Sequence, residues 1–251
     1  RSVRQRRVIS LAIALAGLAA GTLIGMTGIG GVLLVPVLTE VGAMPADRAI
    51  GTSTAAFLLG GVVAAVMHLR HVAPAPRIMV PLCIAAIVGA LTGATTIDYL
   101  TPQSVRWFIS FLALFSGAFA LVAPLLQKRF RDPRPWEMVV LGVLVGYGSA
   151  ISGTGGPALL VPLLLILRTE IRLAVALGLL VQIPITLSAT VINAHAGRID
   201  YPLAMLLALL VLVGTLAGGR LARYFSGRTL TLCVAVTLMG LGVWYGVGST
   251  S

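Results

Sequence analysis

Gly28-Ile-Gly-Gly-Val-Leu-Leu-Val-Pro36 and Gly153-Thr-Gly-Gly-Pro-Ala-Leu-Leu-Val-Pro162 are two renderings of one phrase, each set in a long apolar stretch with no charged residue. Clustered glycines followed by a proline interrupt a helix. Glycine loses the most backbone freedom on ordering, and proline lacks the N–H that a helix interior needs. Lipid cannot hydrogen-bond a freed backbone group, so a broken helix is tolerated in a membrane only where protein or a wet cavity covers it. Two such breaks at matching places in the two halves of a chain point to a transporter's binding site.

The chain around both phrases has the composition of a membrane protein. It is 58% hydrophobic and 10% charged, with a mean hydropathy of +1.04. Every Lys, Arg, Asp and Glu falls outside eight uncharged runs: 8–39, 49–69, 78–97, 107–127, 138–167, 173–197, 201–219 and 229–251. A spanning helix takes ~20 apolar residues, and each run supplies that within a residue. The expected fold is an all-α polytopic membrane protein, a single transmembrane domain over 1–251 with about eight segments.

A net charge of +11 would fit a nucleic-acid binder, but the positions of the charges exclude it. The basic residues cluster between runs, at Arg4, Arg6 and Arg7 and at Lys128, Arg129, Arg131 and Arg134. There they act as topology signals or contact anionic membrane lipid. Cys83 and Cys233 lie inside apolar runs without ligand-spaced neighbours, so neither a disulfide nor a metal or other cofactor is expected. Arg-rich residues 1–7 ahead of an apolar stretch look like the opening of a signal peptide. That stretch is too long for one and continues into the first glycine phrase, so a retained first span, from a start that has been trimmed, is expected.

The repeat reaches beyond the phrases. At an offset of 125 residues, Gly28 meets Gly153, Ala49 meets Ala174, His68 meets Asn193, and Gly89-x-x-x-Gly93 meets Gly214-x-x-x-Gly218. One offset held across several spans indicates duplication of a four-run unit. Repeat one is 8–126, the charged, Pro-bearing linker 127–136, and repeat two 137–251. Four crossings per unit make the halves parallel, whereas an inverted pair needs an odd number. If every run crosses once and the N-terminus is inside, Arg1, Arg4, Arg6, Arg7, Arg70, Arg77, Lys128, Arg129, Arg131, Arg134 and Arg198 gather on the inner side, a moderate positive-inside bias. Runs one and five exceed one straight crossing, since a helix rises 1.5 Å per residue. An unwound helix or a re-entrant hairpin fits either.

A helix that restarts after a break presents unpaired N–H groups and a positive dipole end, which suits an anion. Thr27, Gly28, Gly30 and Gly31 in one half, with Ser152, Gly153, Thr154, Gly155 and Gly156 in the other, are the candidate cradle. No run holds Arg or Lys, so an anion there relies on dipoles, hydroxyls and a co-transported cation. For Gly89, Gly93, Gly214 and Gly218 the stronger reading is close helix packing.

Thr52 and Ser53, in Gly51-Thr-Ser-Thr54, add hydroxyls; the second half has Ala176-Leu-Gly178 instead, with Gln182 and Pro184 a turn later. Hydroxyls in membrane helices also bond back to their own helix. His68, His71 and His195 close runs two and six; a pathway histidine relays protons, whereas one at a helix end caps it. Gly153-Thr-Gly-Gly-Pro-Ala158 has the form of a dinucleotide fingerprint but lacks the βαβ context. Ser152 with His195 suggests an intramembrane hydrolase, yet the first copy of the phrase has no serine before it.

The Gly-x-Gly-Gly-x-x-x-x-Pro phrase in each half, Ala49-Ile-Gly-Thr-Ser53, and the run from Asn193 to Gly197-Arg-Ile-Asp200 resemble the TauE/SafE sulfite exporter family, from about Val8 to Val247. The resemblance implies a seven- or eight-span carrier of the cytoplasmic (inner) membrane, made by duplication. Its substrates would be small sulfur-containing anions and organic sulfonates such as sulfite, thiosulfate and sulfoacetate. The expectation is therefore a non-enzymatic secondary transporter of a small anion working by alternating access, its N-terminus cytoplasmic. Thr52, Ser53, Gln182 and Asn193 join the glycine phrases as substrate contacts, His68 and His195 couple a proton if a sodium ion is not used, and a homo-oligomer is compatible with the pattern. A passive anion channel shares every feature; an accessory membrane subunit and an intramembrane hydrolase are the remaining alternatives.

Overall fold

The computed structural model describes residues 3–247 apart from 71, 73, 127–130, 223, 225 and 226, with side chains described from Val8 on, except 123–126, 227–231, 233 and 234. His71 and the side chain of Cys233 therefore lie outside the described residues. The described chain is helical throughout: α1 (Val3–Thr27), a 3₁₀ turn (Gly31–Leu33) running into α2 (Leu34–Glu40), α3 (Ala46–Leu69), α4 (Pro76–Thr96), a 3₁₀ turn (Ile97–Tyr99), α5 (Pro102–Leu126), α6 (Pro135–Ser152), α7 (Pro157–Ile166), α8 (Ile171–His195), α9 (Tyr201–Leu221) and α10 (Gly227–Val247). Proline opens α4, α5, α6 and α7, where its missing N–H costs nothing. Asp200 caps α9 by accepting the Leu203 N–H at 3.1 Å, and Gly153, left-handed at φ +67°, ends α6.

Among the described residues, seven helices are long and apolar enough to cross a membrane: α1 from Val8, α3, α4 extended to Tyr99, α5 to Val122, α6, α8 and α9. Gly31–Glu40, Pro157–Ile166 and Ala235–Val247 are shorter apolar stretches. The eighth uncharged run falls on α10 and continues past the described residues. Helix starts at Ala46, Pro76 and Pro102 recur 125 residues later at Ile171, Tyr201 and Gly227.

Small residues set how the helices run. A Cβ on Gly21 or Gly25 would strike the carbonyls of Val211 or Thr215, and one on Gly214 or Gly218 those of Leu18 or Thr22, so α1 and α9 lie backbone to backbone and parallel. Gly142 and Gly146 meet Leu82 and Ala86, and Gly89 and Gly93 meet Val143 and Tyr147, so α4 and α6 do the same. This is the close approach that small-x-x-x-small faces allow. α3 also runs parallel to α9, with Gly51 beside Arg198 and Gly60 beside Val211. α5 and α10, whose starts are 125 residues apart, run antiparallel: Gly117 lies against Ala235 and Met239, and Gly246 against Ser110.

The chain reverses at each glycine phrase. Gly30 packs on Ala20 and Ile24 of the preceding helix, and Leu159 returns to Gly148. α2 and α7 thus come back toward the end from which α1 and α6 set out. Glu40 at the end of α2 pairs with Arg106 near the start of α5 at 2.8 Å, and the Arg168 carbonyl beyond α7 accepts the Arg131 N–H ahead of α6 at 2.9 Å. We call the two ends near, where α1, α3, α5 and α9 start, and far, where α4, α6, α8 and α10 start.

Parallel halves would align helices whose starts are 125 residues apart, but α5 and α10 run antiparallel, because runs one and five each hold a long helix and a returning half-helix. This packing also undoes the charge tally, which assumed strict alternation. Arg70, Arg77, Arg131, Arg134, Arg168, Arg172 and Arg220 all lie at the far end, opposite the start of α1. Lys128, Arg129, Arg223 and Arg228 stand in the segments that follow α5 and α9 in the chain.

Side-specific labelling checks this. Eight alternating crossings place exposed Tyr99 and Tyr224 on one side, whereas here they stand at opposite ends. In a background lacking Cys83 and Cys233, Tyr99→Cys and Tyr224→Cys should react with an impermeant maleimide from opposite faces of sealed vesicles. Labelling from one face would contradict the fold-back.

Candidate functional site

The two reversals meet. A Cβ on Gly31 would collide with the Thr154 carbonyl oxygen, and one on Gly153 would come within 2.9 Å of Val35 Cγ2 in α2. The start of one returning half-helix therefore abuts the break that precedes the other. α3 and α8 complete the enclosure. Gly153 lies beside Ser53 and Ile50 of α3, Gly155 and Gly156 lie against Gln182 and Ile185 of α8, and Gly28 packs on Val175 and Leu179 of α8. Gly28, Gly30, Gly31, Ser152, Gly153, Thr154, Gly155 and Gly156 are all buried; Thr27 is half-buried.

The breaks share a phrase but not a conformation. The second uses three left-handed glycines, Gly153 (φ +67°), Gly155 (+83°) and Gly156 (+118°), whereas the first uses only Gly28 (+79°). Gly30, at φ −155° and ψ −13°, leads into the 3₁₀ turn. Gly30 and Gly31 are glycines because backbone sits where a side chain would go. Gly155 is glycine because of its φ, since only the flexible Gln182 side chain faces it, at 3.3 Å or more.

The hydroxyls are mostly turned to backbone. Thr27 Oγ1 donates to the Leu23 carbonyl at 2.9 Å and accepts from the Ile29 N–H at 3.4 Å. Ser53 donates to Ile50 at 3.0 Å and lies 3.4 Å from the Gly153 carbonyl. Ser152 donates to Gly148 at 2.7 Å and stands 2.9 Å from the Thr154 hydroxyl. Gln182 differs. It is buried between Gly61 of α3 and Gly155, and its Oε1 has no hydrogen-bond partner. A buried polar atom without a partner calls for an explanation; being an amide oxygen, Oε1 only accepts, so it suits a donor or a cation rather than the oxygens of an anion.

Other expected contacts lie elsewhere. Thr52 Oγ1 accepts the Asp200 N–H at 3.1 Å, tying α3 to the start of α9. Asn193 Oδ1 accepts from Arg198 at 3.1 Å near the near end. His68, half-buried, has its Nδ1 3.0 Å from the Ala64 carbonyl at the far end of α3, and His195 is exposed at the near end of α8. The fold-back therefore sends the repeat-equivalent pair His68 and Asn193 to opposite ends.

The residue that sequence reasoning missed is Arg198. It stands between uncharged runs, where arginines are normally solvated, yet it is only 4% exposed. The available signal was its place one residue after Gly197, in a helix-ending turn.

The fold is that of a polytopic helical membrane protein, with seven helices among the described residues long and apolar enough to span, and the family it falls in is one of membrane transporters. The chain belongs to the sulfite exporter TauE/SafE family, whose pattern matches residues 13–245. It is 24% identical to the probable membrane transporter protein YjnA of Bacillus subtilis, over 94% of this chain and 99% of that protein. Identity is 27% to a probable membrane transporter protein of Haemophilus influenzae, over 64% of each chain. It is 20% to one from Methanocaldococcus jannaschii, over 91% of this chain and 92% of that protein.

Gly31→Ala forces the two breaks apart and should lower the thermal midpoint of purified protein by roughly 5–10 °C, as overpacking of a tight contact does. Gly240→Ala, with nothing within 4 Å, should leave it unchanged. Equal midpoints for the two variants would show that the breaks do not pack on each other.

Proposed function

We propose that the protein is a secondary carrier of a small anion, a sulfur oxyanion or organosulfonate of the sulfite, thiosulfate or sulfoacetate type. The anion is held between the two glycine breaks and moved by alternating access. The observation that carries this reading is the meeting of the breaks at Gly31 and Thr154. Helices restart there with free N–H groups and positive dipole ends, and a half-helix terminus at an anionic group is how transporters hold such ligands. The cradle consists of Thr27, Gly28, Gly30 and Gly31 facing Ser152, Gly153, Thr154, Gly155 and Gly156, with Ser53 and Gln182 at its edge.

On this reading the chain is a duplication, repeat one 8–126 and repeat two 137–251, the halves related by a pseudo-two-fold axis in the membrane plane. Rocking of the halves about the breaks exposes the site to each side in turn. The protein lies in the cytoplasmic membrane with its basic far end toward the cytoplasm, following the positive-inside rule. This reverses the orientation expected from strict alternation. It acts without chemistry on its substrate.

Each helix end carries only about half a unit of charge, so two facing ends balance one negative charge. A dianion then travels with a sodium ion or proton, the proton being taken by His68 or His195 according to the side exposed.

The test uses purified protein in proteoliposomes, following flux of sulfite and of a permanently ionised monosulfonate across roughly pH 5.5–8.5, the range in which histidine titrates, with and without sodium. Saturable flux is expected, with sulfite the more pH-sensitive. Unitary conductance would instead make the protein a channel, and electrogenic dianion flux indifferent to both ions would overturn the neutralisation argument. In the same assay Gln182→Leu should weaken apparent affinity about tenfold, the usual cost of a lost hydrogen bond to a charged group. A change of less than twofold would remove Gln182 from the site.

A further inference from the structure

We propose that Arg198 and Asn193 form a second anion site, at the near end of the molecule, which the Asp98 carboxylate occupies when no substrate is there. The inference rests on the anion-carrier reading and adds the point at which the anion is first received.

The backbone places Arg198 first. α8 ends at His195, and Gly197 is left-handed at φ +67°. The Gly197 N–H donates to Ala194 at 3.1 Å and the Arg198 N–H to Asn193 at 2.9 Å, the paired bonds of a Schellman turn. The position after the glycine of such a turn commonly carries an apolar residue that packs on the last turn of the helix. Here it carries a guanidinium, and its contact with the last turn is polar. Nη1 donates to Asn193 Oδ1 at 3.1 Å and to the Ala94 carbonyl at 2.9 Å, and Nη2 pairs with Asp98.

The pair is lopsided. The Arg198 side chain is 5% exposed, whereas that of Asp98 is 66% exposed, on the short 3₁₀ turn after α4. A buried charge needs a partner, and Arg198 cannot leave to find one, because two fixed acceptors hold Nη1. Asp98 can turn into water at little cost, so the position it occupies is exchangeable.

Asn193 supplies the second observation. It is fully buried, and its Nδ2 has no hydrogen-bond partner. A guanidinium only donates, so it holds the amide oxygen toward itself and leaves the nitrogen as the orphan. An unpaired donor next to an arginine with an exchangeable partner is chemistry for an anion with several oxygens, which can accept from both where one carboxylate leaves Nδ2 unmet.

The location fits a receiving site. Asp98 lines a half-open cavity of about 370 Å³ with Pro45, Asp47, Ile50 and Val105 at the near end. Ile50 touches Gly153, and the next residue, Gly51, touches Arg198. The proposed site thus stands between an open cavity and the second break. Asp47 and Asp98 make the cavity mouth acidic, so displacement of Asp98 is the step that turns it from repelling an anion to accepting one.

Removal of Asp98 separates this role from that of a structural clamp. Binding of thiosulfate and sulfoacetate to the purified full chain would be measured by titration calorimetry for the wild type, Asp98→Asn, Arg198→Gln and Gly155→Ala. Loss of the competing carboxylate in Asp98→Asn should tighten binding at least fivefold, and Arg198→Gln, checked by its thermal midpoint, should weaken it about tenfold. An affinity in Asp98→Asn that is unchanged or weaker overturns the proposal, even if Arg198→Gln fails to fold. If Gly155→Ala loses affinity while Asp98→Asn does not change it, the carrier reading stands and this site falls alone. If the wild type binds neither anion, both fall together.

Discussion

Everything in this structure depends on one constraint: a backbone interrupted inside a membrane has to be covered by protein. Lipid offers no hydrogen bond to a freed N–H or C=O. The chain meets the constraint by setting its two interruptions against each other, Gly31 against Thr154, with α3 and α8 closing round them. The breaks are thus each other's cover. In the proposed carrier, an opening that parts the halves would uncover this backbone, and a polar ligand would make that uncovering tolerable.

Close helix packing holds this arrangement in place. Without a hydrophobic force between helices in lipid, association rests on close contact. The α1–α9 and α4–α6 pairs achieve it through glycines whose missing side chains let carbonyls touch the neighbouring backbone. Each pair joins helices from opposite halves, so the halves are bound on two flanks around the central breaks. Aromatic residues at helix ends, Trp107 near the near end and Trp136 near the far end, are exposed, as is usual at the headgroup level.

Charge is distributed by end rather than by run. The far end is strongly basic, which suits a cytoplasmic surface. Arg4, Arg6, Arg7 and Arg48 also stand at the near end, at the starts of α1 and α3, but two of its arginines are engaged: Arg106 pairs with Glu40 and lies over the Tyr245 ring, and Arg198 is drawn inward to Asn193 and Asp98. The absence of Arg and Lys from the uncharged runs is therefore not an absence of buried positive charge. A loop has carried one in.

The sequence by itself determined the class of the protein, its apolar runs and the glycine and proline phrases set within two of them. Those features rest on local rules: run length against bilayer thickness, and glycine and proline against helix geometry. It also marked Gly89, Gly93, Gly214 and Gly218 as packing residues, because their spacing is a helical period. Only the tertiary structure decided what needs distance in space. It showed that α2 and α7 fold back, which places His68 and Asn193 at opposite ends; no local signal distinguishes an unwound helix from a hairpin. It showed that Gly30 and Gly155, alike in sequence, are glycines for different reasons, one for space and the other for φ. And it buried Arg198, whose partners Ala94 and Asp98 come from a helix end about a hundred residues away in sequence, a contact that side-chain reach and helix packing create and that no pattern along the chain encodes.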